Sequence, residues 1–142
     1  MEREGFTVVE LLVVIVIIAT VSVMAVVSFS TISPKRLEAA ARKIVSDLLW
    51  AREMAVARHE NYIVDFDTTI ERYIIYRNSI NPDNQVKYED LDVDLESVNP
   101  TPPRLQFNFP SGSTQSKQIN LSYRGITQQI RVFGETGYVR ME

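Results

Sequence analysis

Apolar positions change their spacing twice along this chain, and each change marks a different kind of element. Residues 6–29 form a nearly unbroken apolar run of 24 residues with no proline or glycine. About 20 apolar residues span a bilayer as a helix, so 6–29 is predicted to be a transmembrane helix. Beyond it, Leu37, Ala41, Ile44, Leu48, Ala51 and Ala55 recur at spacings of 4, 3, 4, 3 and 4. That period puts them on one helical face, and residues 30–59 are predicted to be the amphipathic half of one long helix. Ser33-Pro34 is either a kink or a fresh helix start. From residue 60 onward the period drops to two. NYIVDF and RYIIYR alternate on either side of DTTIE and read as a hairpin turning at Asp67, Thr68 and Thr69. Residues 104–109, 118–123, 128–133 and 138–141 are four more short runs of the same kind. Glycine and serine at 111–113, Arg124-Gly125 and glycine at both ends of 134–137 supply the turns between them. A long helix followed by successive hairpins is an α+β pattern, with an antiparallel β domain over 60–142 packed on the helix. The polar, proline-bearing stretch 78–103 is expected to be a variable loop.

Glu10 is the one charge inside the apolar run. A carboxylate costs about 2.5–3.5 kcal/mol at mid-membrane and less near a helix end, and intramembrane charges are usually paired. The five residues before the run, MEREG, carry two glutamates and one arginine, unlike the basic n-region of a secretory signal. Cleavage between Gly5 and Phe6 would leave the apolar run in the mature protein. It would also create an α-amine at Phe6, one helical turn from Glu10 or within reach of Glu10 on a neighbouring chain. Processing would thus supply the missing cation.

GFTVVELLVVI resembles the class III signal of type IV pilins and of the pseudopilins of type II secretion. The resemblance implies a leader of residues 1–5, cut after Gly5 by a prepilin peptidase that also methylates Phe6. It implies that Phe6, Thr7 and Glu10 guide assembly with other pilin or pseudopilin subunits and with the inner-membrane assembly platform. A type IV pilin-like fold follows, anchored by a single span in the inner membrane, with the N-terminus cytoplasmic and the β domain exported. Charge argues weakly against that orientation, since the leader is acidic and Lys35 and Arg36 lie on the exported side; the orientation is the family's. Within the exported part, AARKIVSDLLWAREMAVARHENYIVDF resembles the minor pilins and pseudopilins of the GspH/FimT type. Their Ala-Arg-x-x-Ala step falls on Ala51, Arg52 and Ala55, and LQFNFPSG and IRVFGETGYVR resemble their C-terminal half. The function implied is that of a minor pseudopilin in a type II secretion pseudopilus. The alternative is a minor pilin of a pilus or competence system that takes up DNA.

Composition narrows the chemistry. At 142 residues the chain holds one span and one domain of about 100 residues. It has no cysteine, which removes disulfides and thiol nucleophiles. His59 is the single histidine and falls at the expected helix end, where the dipole favours a cation. No phosphate-binding glycine loop or nucleophile elbow is present, so no catalytic residue and no cofactor are expected. Asp90, Asp92, Asp94 and Glu96 alternate with Leu91, Val93 and Leu95, which makes a solvated strand face. A calcium loop begun at Asp90 would need glycine and glutamate where Leu95 and Thr101 stand, so no metal is expected. Candidate DNA contacts are Arg124, Arg131 and Arg140, in a C-terminal stretch, 104–142, of net charge +3. Residues 83–96 carry a net charge of −5, which would oppose phosphate, so the charge points to a protein partner rather than nucleic acid.

Overall fold

The computed structural model of the chain describes residues 7–142, with side chains at all of these except 23–33. Helix α1, Val8–Arg58, takes up both predicted helical halves and contains Pro34. The chain divides into two compact units at Ser33 and Pro34, next to the helical position that cannot donate to the i→i−4 ladder.

In the first unit the described side chains are exposed, Val8 to Val21 among them. Two hydroxyls in the apolar stretch turn back on the helix: Thr20 Oγ1 donates to the Ile17 carbonyl at 2.9 Å, and Ser22 Oγ to that of Ile18 at 2.7 Å. Such bonds satisfy a hydroxyl without water. Among the described residues no helix is long and apolar enough to cross a membrane. The described side chains of the run stop at Ser22, short of the length a span needs. The predicted span 6–29 therefore lies partly outside them.

In the second unit the predicted stripe is the buried face of the helix. Leu37, Ala41, Ile44, Leu48, Ala51 and Ala55 are all 2 % exposed or less. Burying one Leu or Ile side chain contributes about 1.5–3 kcal/mol, so this stripe anchors the domain. Eight strands surround it. One antiparallel sheet holds β1 (Tyr62–Asp67), β2 (Arg72–Arg77), β3 (Gln85–Asp90) and β5 (Arg104–Phe107), in the order β3-β2-β1-β5. The other holds β4 (Asp94–Asn99), β6 (Lys117–Tyr123), β7 (Ile126–Phe133) and β8 (Tyr138–Met141), in the order β4-β6-β7-β8. Val64, Phe66, Tyr73 and Ile75 from the first sheet and Ile119, Leu121, Ile130 and Val132 from the second join the helix stripe in one core.

The antiparallel β domain is as expected and is built of two four-stranded sheets. One expectation changes. Stretch 78–103 is not loop throughout: it contains β3, a short 3₁₀ turn (Pro82–Asn84) and β4. The reason is in the alternation around Asp92, where Val93 and Leu95 are buried at 1 % and 3 % while Asp92, Asp94 and Glu96 face solvent. The hairpin turn falls as expected, with Asp67 Oδ1 accepting from the Thr69 and Ile70 amides at 2.9 and 3.3 Å.

Candidate functional site

At the start of the helix, Thr7 and Glu10 cap each other. The Glu10 amide donates to Thr7 Oγ1 at 3.3 Å, while the Thr7 amide and hydroxyl both reach Glu10 Oε2 at 3.5 Å. This reciprocal arrangement is a capping box, and it supplies an acceptor to an amide of the first turn, which has none within the helix. A carboxylate there also meets the positive end of the helix dipole. The signal was available in the sequence as Thr-x-x-Glu ahead of an apolar run. Gly5 and Phe6, the expected processing residues, lie outside the described residues.

The three candidate DNA-contacting arginines are not brought together. Arg131 and Arg140 are cross-strand partners on β7 and β8, but Arg131 Nη2 is paired with Glu142 at 3.0 Å. Arg124 sits at the β6–β7 turn, over the Tyr123 ring at 5.5 Å. That is about 20 Å along the strand from Arg131. The remaining C-terminal cations are committed elsewhere. Arg104 pairs with Asp65 at 3.0 Å. Lys117 is 2 % exposed. Its Nζ donates to the Pro100 carbonyl and, at 2.8 Å, to that of Pro102. Burial holds the Lys117 ammonium below the ordinary lysine pKa. Its role is to tie the 100–102 segment to the second sheet.

The three stretches that carry the resemblance to GspH/FimT subunits converge on one side chain, Arg52. Its stem passes between the turn at Gly112 and the turn at Gly137. A Cβ added to Gly112 would stand 2.9 Å from Arg52 Cγ. One added to Gly137 would stand 2.2 Å from the Gly112 carbonyl oxygen and 2.9 Å from Arg52 Cδ. Both glycines have positive φ, 66° and 63°, so backbone conformation and space demand glycine together. Arg52 Nε is buried and has no hydrogen-bond partner among the described residues, a condition that costs about 1–3 kcal/mol when left uncompensated. Beside it lies an open cavity of about 270 Å³ lined by Arg52, Glu53, Val56 and Ala57.

A second buried polar group was missed by sequence reasoning. Asp47, 6 % exposed, accepts from the Tyr73 hydroxyl at 2.6 Å and from Lys87 Nζ at 2.7 Å. It ties the helix to β2 and β3. Burial first, then the bond to Asp47, pushes the Tyr73 phenol well above the ordinary tyrosine pKa. His59 ends the helix in the left-handed region, φ 59°, and stacks on Phe109 at 4.6 Å between centroids.

The family model for the type II transport protein GspH matches residues 40–136. The chain belongs to the GspH family. The prokaryotic N-terminal methylation motif matches residues 1–26. As a GspH-family member it is a minor pseudopilin, a structural subunit of the type II secretion pseudopilus. Solved structures share its fold. The minor pseudopilin EpsH from the Type 2 Secretion System of Vibrio cholerae aligns with a TM-score of 0.59 at 17 % identity, over 75 % of this chain and 96 % of EpsH. The type IV minor pilin FimU of Pseudomonas aeruginosa aligns with a TM-score of 0.62 at 15 % identity, over 77 % of this chain and 90 % of FimU. No curated protein sequence matches the chain.

Proposed function

We propose that this GspH-family subunit does mechanical rather than catalytic work, entering the pseudopilus through its N-terminal helix after cleavage between Gly5 and Phe6. The observation that carries this is the methylation motif across residues 1–26, with Glu10 as the lone charge of the apolar run. A prepilin peptidase would remove residues 1–5 and methylate Phe6. The helix would hold the protein in the inner membrane, N-terminus cytoplasmic, until the assembly platform draws it into the filament. The Thr7–Glu10 capping box supports this order of events. While the chain is alone, Thr7 gives the carboxylate a local donor; on assembly, the Phe6 amine of a neighbour would replace it, offsetting desolvation with a charge pair. Thr7 and Glu10 together then set the register of the subunit.

The test is Glu10→Ala in the full chain, expressed with its secretion machinery. Leader removal is expected to proceed at the normal rate, read by mass of the mature N-terminus. Incorporation into sheared filaments is expected to fall by roughly tenfold or more, as for loss of one member of a buried charge pair. Normal incorporation of Glu10→Ala would sink the charge-pair account.

A further inference from the structure

We propose that Arg52 is a docking cation, and that its ligand is a carboxylate side chain of a neighbouring filament subunit. The inference rests on the pseudopilin reading for the identity of the neighbour, but the site itself is built by this chain alone. Arg52 enters no ion pair among the described residues, although Arg42, Lys43, Arg72, Arg77, Lys87, Arg104 and Arg131 all do. Lys35, Arg36, Arg58, Arg124 and Arg140, also without ion pairs among the described residues, are exposed and can be solvated, and Lys117 donates to two backbone carbonyls. Arg52 differs because its stem is clasped between the Gly112 and Gly137 turns and its Nε is buried without an acceptor. The side chain as a whole stays partly exposed and has no ionic partner among the described residues. A side chain held in that way has already lost its rotamer freedom, so an incoming acceptor gains a charge-assisted bond at little further entropic cost.

The cavity beside Arg52 selects the kind of ligand. Val56 and Ala57 give it an apolar wall, and Val56 is 42 % exposed. Glu53 lines the same cavity, yet it cannot serve Arg52, since adjacent helical residues do not face each other. Its charge opposes any anion, but a carboxylate meets about half the repulsion that a phosphate dianion would. A single carboxylate beside an aliphatic side chain therefore suits this mouth better than a phosphate group. Phe109, in the turn that holds Gly112, and Tyr138, which opens β8 directly after Gly137, are 41 % and 56 % exposed. Arginine and aromatic side chains are enriched among the residues that carry binding energy at protein interfaces.

The experiment places a photo-crosslinking residue at Val56 in the full chain, expressed with its secretion machinery, and compares wild-type Arg52 with Arg52→Met and Arg52→Lys. Methionine keeps the stem between the two turns and removes the charge. The expected result is a cross-link to another pseudopilin that falls roughly tenfold or more in Arg52→Met, with the melting temperature of that variant little changed. A folded Arg52→Met that cross-links as wild type would overturn the proposal, as would a wild-type cross-link to an exported cargo protein. If Arg52→Met does not fold, Arg52→Lys decides, because it keeps stem and charge but loses the planar fork. A reduced cross-link in folded Arg52→Lys that is abolished in about 1 M salt supports the docking cation; a wild-type yield unaffected by that salt refutes it. Should Val56 cross-link to no filament subunit while Glu10→Ala still blocks incorporation, the docking site fails and the pseudopilin reading stands. Should wild type not be incorporated at all, both fail together.

Discussion

At the scale of single residues, the β domain is organised by a few polar groups taken out of water rather than by its abundant surface charge. Asp47 is the clearest case: it lies on a helix that is otherwise held by an aliphatic stripe, and it satisfies a tyrosine and a lysine from two strands. The Tyr73 pKa is raised in the fold, so its contribution to stability is complete below the unfolded value, about pH 10, and is lost as pH rises above it. Tyr73→Phe is expected to cost about 1–3 kcal/mol near neutral pH, because Asp47 loses a buried donor. The gap between wild type and Tyr73→Phe should then narrow by about 1.4 kcal/mol per pH unit above pH 10. Chemical denaturation followed by fluorescence of Trp50, the single tryptophan, at pH 7 and across that range checks both parts.

Among the elements, the two glycine turns matter more to the fold than their length suggests. The Gly112 turn follows β5 of the first sheet and the Gly137 turn joins β7 to β8 of the second, and together they form the walls of the Arg52 slot. Gly137→Ala would force a Cβ to within 2.2 Å of a backbone oxygen in the other turn while holding φ at 63°. Left-handed backbone alone costs an L-residue about 1–2 kcal/mol, and the clash adds to it because the obstacle is main chain. A loss of about 3 kcal/mol or more is expected, measured by thermal or urea unfolding. Arg52→Met should be milder, since the stem still fills the slot. The order Gly137→Ala more damaging than Arg52→Met is therefore a test of whether the turns are built around the stem.

Over the whole molecule, the distribution of charge decides what the β domain can bind. The chain is acidic overall, with a formal net charge of −3, and the basic C-terminal part is basic only in sequence. Arg104 and Arg131 are neutralised by Asp65 and Glu142, Lys117 is buried, and Arg124 and Arg140 lie at opposite ends of the second sheet. A phosphate track needs several free cations in a row, because affinity grows with each counterion released. The full chain in detergent is accordingly expected to show no salt-sensitive binding of duplex DNA at physiological salt. A binding constant falling with salt at a slope corresponding to three or more phosphate contacts, and reduced by Arg140→Ala, would contradict that charge map.

Much of the architecture was written in periodicity, because burial on one face imposes its own spacing on a sequence. The stripe from Leu37 to Ala55 and the alternation in β1, β2, β6, β7 and β8 were legible for that reason, as was the N-terminal motif in which Glu10 stands alone among apolar residues. Thr-x-x-Glu was also legible as a helix start, though it was masked by the functional meaning of the same glutamate. What could not be read from one dimension were the pairings across the chain. Asp47 is one polar residue on a long helix, and its partners are 26 and 40 positions away. Lys117 looked like part of a basic surface until the fold set it beneath the 100–102 segment. Within the 78–103 stretch the alternation from Asp90 to Glu96 was legible as a strand face, whereas β3 was hidden because none of its residues is fully buried and its composition resembles a loop. Arg52, Gly112 and Gly137 were three separate features of the sequence. Their meaning comes from tertiary structure alone, since only the closed domain brings two turns and a helix near enough to hold one side chain.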